Sequence, residues 1–499
     1  MGISHRILSQ VNSFLQSRSV DGYIVGGYVR DSIIGEISRD IDIVILNSDQ
    51  DIINDITSYL GCKAVELDKE RHISRLFFID EYEDQQIDSY FHIDLSLCLT
   101  DIKEDLAARD FTINSMAVSL SHALPKIDLE YVIDPYNGVA DIVSKRIECV
   151  SDTIFREDPV RLLRAVRLMA QLDFVLTDNT RSLIQRHATR LLEASNERVR
   201  EEFLKIIQSR NSSEKIKELD ELGLLSVLIP ELEDCKGVIQ PKEHFADVFG
   251  HSMSMPTSIG IITRDGSADI FGHNIISQIP WDDQIEYHFH SEFSDGVSRA
   301  TILKVAGLLH DISKPTTKTF DDAKDKIRFI GHDKEGAEVS RGILKRFRFS
   351  NKAIEFVYAL INQHLRPTQM SSINMMPTDR AIYRYYRDLG DYAIDTLYLN
   401  LADYLSAKGP NKVEESDWSR HCSLIGYILD HKSNRTSTNN QYKSLINGNM
   451  IIEEFDIEPG PVIGYVLDLV YEEQMSGNIK DVKSALVLAG EILSKTIPQ

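Results

Sequence analysis

The stretch YIVGGYVRDSIIGEISRDIDIVI, residues 23–45, decides how this chain reads. Tyr23, Ile24 and Val25 form a short apolar run that Gly26 and Gly27 end, so a strand stops where two residues without a Cβ let backbone N–H groups approach a triphosphate. Arg30 follows on the first turn of the next helix, where its guanidinium can clamp the same phosphates. Gly35 closes that helix. Asp40-Ile41-Asp42 then alternates acid, apolar, acid before Ile43-Val44-Ile45. A period of two puts both carboxylates on one face of a strand and the isoleucines on the other. Two hard oxygen ligands on one face suit Mg²⁺, which can lower the charge barrier to a hydroxyl attacking an α-phosphate. Gly-Gly alone is a tight turn, and Asp-x-Asp alone a solvated face. Their succession in one short unit points to phosphoryl transfer.

At 499 residues and 42% hydrophobic content, the chain is long enough for roughly three or four globular domains. No apolar run reaches membrane-spanning length. The start, MGISHRILSQVNSFLQ, reads as an amphipathic helix without the basic flank and cleavage site of a signal peptide, and the expected location is cytoplasmic. Five cysteines, Cys62, Cys98, Cys149, Cys235 and Cys422, stand singly with no CxxC pair, and read as reduced, mostly buried thiols. A net charge of −22 argues against broad non-specific nucleic-acid binding but leaves room for a focused basic groove. The richest basic tract is 156–210.

Up to about residue 150 the pattern is that of an α/β head, with candidate strands at 23–25, 41–46, 74–79, 92–96 and 131–133. From Asp152 it turns almost wholly helical, Val160, Leu163, Val166, Leu168 and Leu172 being one periodic set. Residues 257–298 look like a loop-rich insertion in a second helical domain, and the polar run 433–440 like a break before a final helical piece. The expected fold is α+β: a nucleotidyltransferase head at 1–150 with a small mixed sheet, a helical recognition and RNA-binding domain at 151–235, a helical domain at 236–432, and a helical tail at 433–499.

Further chemistry lies downstream. Asp94, in the alternating FHIDLSL, either supplies a third acid beside the Asp40/Asp42 strand or faces water at a strand edge. In DLAARDFTINSMA, Arg109 can hold phosphate or sugar oxygens while Asp110 and Asn114 fix a ribose or the backbone; the plainer reading is a helix start capped by Thr112. In REDPVRLLRAVR, Asp158 before Pro159 is either an ordinary N-cap or, with Arg161, a set of acceptors and donors that reads the edge of a nucleobase. Arg161, Arg164 and Arg167 share one helical face.

GGYVRD, the Asp40/Asp42 pair, RDFTIN, IDPYNGVADI at 133–142, REDPVRLLRAVR and ERVREEFLKI at 197–206 stand in the order seen in bacterial class II tRNA nucleotidyltransferases and their poly(A) polymerase relatives, which the first 230 or so residues resemble. The resemblance implies that Gly27, Arg30, Arg109, Arg164 and Arg167 handle the nucleotide phosphates and sugar, that Asp40 and Asp42 hold the metals, expected to be Mg²⁺, and that Asp158 and Arg161 select CTP or ATP; the reading of the residues themselves adds Gly26, Asp110 and Asn114 to the nucleotide-binding set. The family usually has Arg-Arg-Asp where this chain has Ala108-Arg109-Asp110, so one cation near the substrate is missing. The second half resembles the HD-type domain attached to some of these enzymes, with His251, His310, Asp311, His332, His364 and Asp403 as its metal ligands and Lys314 close by. His244 and His273 read as structural core histidines. The segment LINGNMIIEEFDIEPGPVIG, 445–464, resembles the C-terminal part that helps hold tRNA.

The implied activity is template-independent addition of C and A to the tRNA 3′ end from CTP and ATP, with tRNA as partner and a second divalent metal expected in the HD-type domain. Its rivals are CC-only, A-only or poly(A) addition, which share these motifs and which the segment 61–90 does not separate. Two further rivals are an HD phosphohydrolase with an RNA-binding head and a non-catalytic tRNA-binding protein.

Overall fold

The computed structural model describes residues 3–36, 38, 40–68, 72–78, 91–124, 126–241, 245–266, 270–323, 325–371, 375–410, 412–437, 444–475 and 477–496. His244, the whole span 79–90 and the end of the polar run at 438–440 lie outside these residues. The chain divides into two compact units, Met1–Phe203 with Glu218–Leu228, and Leu204–Lys217 with Ile229–Gln499.

The first unit is built on a six-stranded mixed sheet in the order β3-β4-β5-β2-β1-β6. The strands are β1 (Gly22–Val25), β2 (Asp40–Leu46), β3 (Lys63–Asp68), β4 (Ile73–Phe78), β5 (Phe91–Cys98) and β6 (Ala117–Ser119). β2 and β5 run parallel, which requires a crossover, and helix Asp51–Leu60 lies within it. Ile41, Ile43, Val44 and Ile45 are fully or almost fully buried, so β2 is a central strand whose acids emerge only at its first turn-proximal positions. The opening helix spans Ile3–Ser17 and buries Ile7, Leu8, Val11 and Leu15, as its amphipathic pattern requires.

The expected strand–turn–helix–strand unit is present. β1 ends at Val25, Gly26 takes φ 72° as the N-cap, and helix Gly27–Ile34 follows. Gly35 stops that helix at φ 90°, in the left-handed region where a residue without Cβ is not strained, and its N–H donates to the Asp31 carbonyl.

Several expectations needed correction. The strand foreseen at 131–133 is instead the 3₁₀ turn Leu129–Tyr131 with a single bridge between Ala117 and Ile133. β3 and β6 were not foreseen. β3 is exposed along its described side chains, so no burial alternation marks it, and β6 is only three residues long. The described residues of the presumed insertion at 257–298 carry regular elements: helix Val248–Ile262 runs through its start, DQIEYHFH forms helix Asp283–His290, and a short hairpin joins Glu292–Ser294 to Val297–Ser298. The polar run at 433–440 does not break the chain at its beginning, since helix Glu415–Ser437 continues into it. His273 is exposed at the start of helix His273–Ile276 and is no core residue.

The second unit is helical. Helix Arg299–Leu309 buries every residue from Ala300 to Leu309 and lies at the centre of its packing against helices Val248–Ile262, Asn351–Gln363 and Ala393–Lys408. The segment after 444 has a core of its own, including Ile446, Ile451, Ile463, Val466, Val470, Ala485 and Ala489. Among the described residues no helix is long and apolar enough to cross a membrane. All five cysteines are free thiols, and Cys149, Cys235 and Cys422 are buried.

Candidate active site and a second candidate metal centre

The turn after β1 gathers the residues singled out from the sequence. A Cβ on Gly26 would lie 2.8 Å from Arg109 Nη1 and 3.3 Å from Asp42 Oδ2, so the bare turn brings a guanidinium and a carboxylate against one backbone. Arg109 is aimed by Asp105, four residues earlier, at 2.9 Å. From Gly27 the row continues: Arg30 Nη1 donates to Asn114 Oδ1 at 2.6 Å, Asn114 Nδ2 donates to Asp110 Oδ1 at 3.1 Å, and Arg164 Nε lies 2.7 Å from Asp110 Oδ2. Burial alone would raise the Asp110 pKa, but Arg164, Asn114 and the Phe111 N–H hold it below the usual carboxylate value. Arg167, one turn past Arg164, sits 2.8 Å from Glu202. Thr112 caps nothing; its hydroxyl donates to Asp141 at 2.7 Å.

Asp40 and Asp42 share the same face of β2 but differ in surroundings. Asp40 is 83% exposed and lies 3.3 Å from His92. Asp42 is half-buried, and desolvation pushes its pKa up, with Arg109 opposing and Asp94 adding to the rise. Asp94 is no edge residue, because β5 lies between β4 and β2 and Asp94 stands in register with Asp42. Both its oxygens accept from Arg75, at 2.7 and 2.8 Å.

The side chains of Asp158 and Arg161 turn to different partners, although the Arg161 N–H donates to the Asp158 carbonyl at 3.1 Å. The helix that follows starts at Arg161 with Val160 as its N-cap, so Asp158 is two positions too early for the cap foreseen. Its carboxylate accepts two bonds from Arg198, at 3.1 and 2.7 Å, and a longer one from the Val160 N–H. Arg161 Nη2 donates to the Ala108 carbonyl at 2.8 Å, which brings a guanidinium to the position where the family's usual arginine is missing. Arg75, His92 and Arg198 were overlooked as site residues. Arg198 lies within the quoted ERVREEF, and Arg75 shares the alternation of ISRLFF with no local signal of its own.

The second unit holds the other set. His310 is the C-cap of helix Arg299–Leu309, His364 that of helix Asn351–Gln363, and His332 opens helix His332–Arg346. His251 and Asp403 come from helices Val248–Ile262 and Ala393–Lys408. His251, His310 and Asp311 form one close triad, and Asp311, His332 and His364 another. Nδ1 of His310, His332 and His364 lies 2.6 to 2.7 Å from a backbone carbonyl, of Gly307, Phe329 and Ile361, which fixes Nδ1 as the donor and turns Nε2 inward. The inward atoms meet at 3.3 Å between His251 and His310 and again between His332 and His364. Asp403 lies 3.1 Å from His251, and Lys314 2.6 Å from Asp311. Burial lowers the pKa of both His310 and His364, but Asp311 and Asp403 outweigh it at His310 and hold it at about 10, while His364, with the His310 charge beside it, falls to about 4. Converging imidazole nitrogens with a shared carboxylate form a donor set that fits divalent cations.

Comparison with known proteins agrees with this geometry. A family model described as the poly A polymerase head domain matches residues 22–148, one described as "Probable RNA and SrmB- binding site of polymerase A" matches 173–236, and the HD domain matches 288–408. Asp158, Arg161, Arg164 and Arg167 fall between the first two matches, and His251 lies ahead of the third. The A-adding tRNA nucleotidyltransferase of Deinococcus radiodurans is 26% identical, over 91% of this chain and 92% of its own. The CC-adding tRNA nucleotidyltransferase of Thermus thermophilus is 25% identical, over 92% and 91%. The fold is shared with a CCA-adding enzyme from Thermotoga maritima solved with tRNA, at TM-score 0.58 and 21% identity over 99% of this chain and 95% of that one. It is also shared with a CCA-adding enzyme solved with ATP, at TM-score 0.62 and 20% identity over 99% and 94%. A poly A polymerase head, the RNA-binding segment after it and an HD domain thus follow one another in a chain that is similar to curated bacterial tRNA nucleotidyltransferases along nine-tenths of its length.

Proposed function

We propose that the protein adds C and A to the 3′ end of tRNA from CTP and ATP without a nucleic-acid template. The observation that carries the reading is the continuous row from Asp42 through Arg109 at the Gly26 turn, beside the chain Arg30, Asn114, Asp110, Arg164. It sets an acid pair next to donors suited to a triphosphate. Asp40 and Asp42 are an all-oxygen set, the kind Mg²⁺ takes, and the cost of keeping Asp42 charged while half-buried favours a cation there. Such an ion, when bound, lowers the charge barrier between a terminal ribose hydroxyl and the α-phosphate. The chain's own residues do the remainder by position and charge: the Gly26-Gly27 turn admits the phosphates, Arg30 and Arg109 hold them, and Asp110 keeps Arg164 aimed. Asp158 and Arg161 would select the base. The domain division that goes with this is a catalytic head at 1–150, a recognition domain at 151–235, the HD-type domain at 236–432 and the tail at 433–499, working in the cytoplasm.

A second reading, addition of CC alone or of A alone, is favoured by the names of the relatives matched along most of the chain. One experiment separates the two: tRNA lacking its terminal nucleotides, and the same tRNA already ending in CC, are each incubated with CTP, with ATP, and with both. Full addition requires C from CTP alone and A only afterwards. Addition of one nucleotide kind whatever is supplied selects the partial reading, and no incorporation overturns both. For the second centre we infer that His251, His310, Asp311, His332, His364 and Asp403 would hold divalent cation, which would supply the Lewis acidity that phosphate-ester hydrolysis needs.

A further inference from the structure

The handles for the incoming nucleotide all lie on one flank of the acid pair. Gly26 and Gly27 follow β1, Arg30 is on the helix after them, and Arg109 stands against Gly26. β1 pairs with β2 on one side, and β5 pairs with β2 on the other. An in-line displacement needs its attacking hydroxyl opposite the departing pyrophosphate. The hydroxyl must therefore approach across β5 and β4.

That flank has side chains suited to it. His92 stands in register with Asp40, and Asp94 with Asp42; Phe77 and Arg75 follow in the same two rows on β4, and Lys63 is Phe77's partner on β3. Ile93, Leu95, Leu76 and Phe78 fill the buried face of these strands, so His92, Asp94, Arg75 and Phe77 share the open face with the acids. The contacts of His92 with Asp40 and of Arg75 with Asp94 place them there directly. Arg75 spends Nε and Nη2 on Asp94, and among the described residues Nη1 remains as a donor for a phosphate oxygen. An aromatic ring and an imidazole beside cations are what a single-stranded RNA end requires, a surface for the base and charge for the backbone.

We infer that the open face of β5 and β4 beside Asp40 and Asp42 seats the acceptor's 3′-terminal nucleotide, with Arg75 on its phosphate and Phe77 and His92 against its base. The inference rests on the transferase reading. Arg75 also neutralises Asp94, so the third carboxylate of the row serves to orient Arg75 rather than to hold a cation.

The test uses the full-length protein, tRNA lacking its terminal nucleotides, and separate measurement of KM for tRNA, KM for CTP and kcat. Phe77→Ala should raise KM for tRNA about tenfold, a typical loss for one stacked base, with KM for CTP nearly unmoved. The paired change Arg75→Gln with Asp94→Asn removes the ion pair without leaving a bare charge beside Asp42, and should raise KM for tRNA similarly. Lys63→Glu, at an exposed position that tolerates substitution, should do the same more weakly and reduce the salt dependence of tRNA binding. Unchanged KM for tRNA in all three, or KM for CTP rising in step with it, would overturn the acceptor seat. Failure of the unmodified protein to incorporate any nucleotide overturns the transferase reading itself, a different result.

Discussion

Asp42 carries a conflict that a single substitution can expose. Its carboxyl is pushed up by burial, with Asp94 and Asp40 close by, so the ionised form is disfavoured in the folded, metal-free protein. For a carboxylate with a raised folded pKa, the penalty is absent below the unfolded value near 4 and present once pH exceeds the folded value. Asp42→Asn should therefore melt at or above the temperature of the unmodified protein at pH 7 in chelator, yet lose nucleotide addition by about a hundredfold or more. Melting curves and incorporation assays on one preparation check both halves, and a variant that adds nucleotides normally would remove Asp42 from the site. Asp110 has the opposite sign. Its pKa is lowered, so its contribution to stability is present above the unfolded value near 4 and fades as pH falls toward the folded one. Asp110→Asn should then flatten the acid limb of the stability curve. At Asp158 two roles can be told apart through Arg198. Asp158→Ala should blur the choice of CTP and ATP over GTP and UTP, and Arg198→Met should do so in part, because the carboxylate loses the fork that orients it. If nucleotide preference is unmoved in both, Asp158 only shapes the turn before Arg161.

At the scale of elements, helix ends do the work in the second unit. Each of His310 and His364 terminates a helix whose last carbonyls would otherwise lack donors, and the Nδ1 bond to Gly307 or Ile361 satisfies one while turning Nε2 inward. Replacing His310 and Asp311 together with Ala should strip bound transition metal, measured by elemental analysis, while CTP and ATP incorporation stays within about twofold, since the two ligand sets belong to different units. Loss of incorporation by a folded double variant would refute that division of labour. The tail is tied by another device. Glu472, buried on helix Pro461–Met475, accepts from Arg380, Arg384 and Arg387 of helix Asp379–Leu389. Glu472→Ala removes the acceptor these arginines share, leaving Arg380 on Glu473 and Arg387 on Asp388, and limited proteolysis should then release the tail, which has a core of its own.

At the scale of the whole molecule, the proposed function requires an acidic chain of net charge −22 to meet tRNA through local cation fields, so the measured tRNA affinity should fall steeply with added salt.

How much of this was legible in the sequence follows from range. The strand–turn–helix–strand unit, the closing glycine of its helix and the common face of Asp40 and Asp42 depend on neighbours a few residues apart, where period and backbone freedom are written directly in residue type. The partner strand of Asp94 was also foreseeable, because FHIDLSL alternates. β3 was not, because its described side chains are exposed and carry no burial pattern, and helix Glu415–Ser437 runs into a polar stretch that composition reads as a break. Only the tertiary structure could show that Asp158 is held by Arg198, forty residues on, that Arg161 reaches the carbonyl of Ala108, and that Arg75 closes on Asp94. A guanidinium at the end of a long flexible stem can meet any of several carboxylates, and which one it meets is decided by how helices and strands pack, not by spacing along the chain.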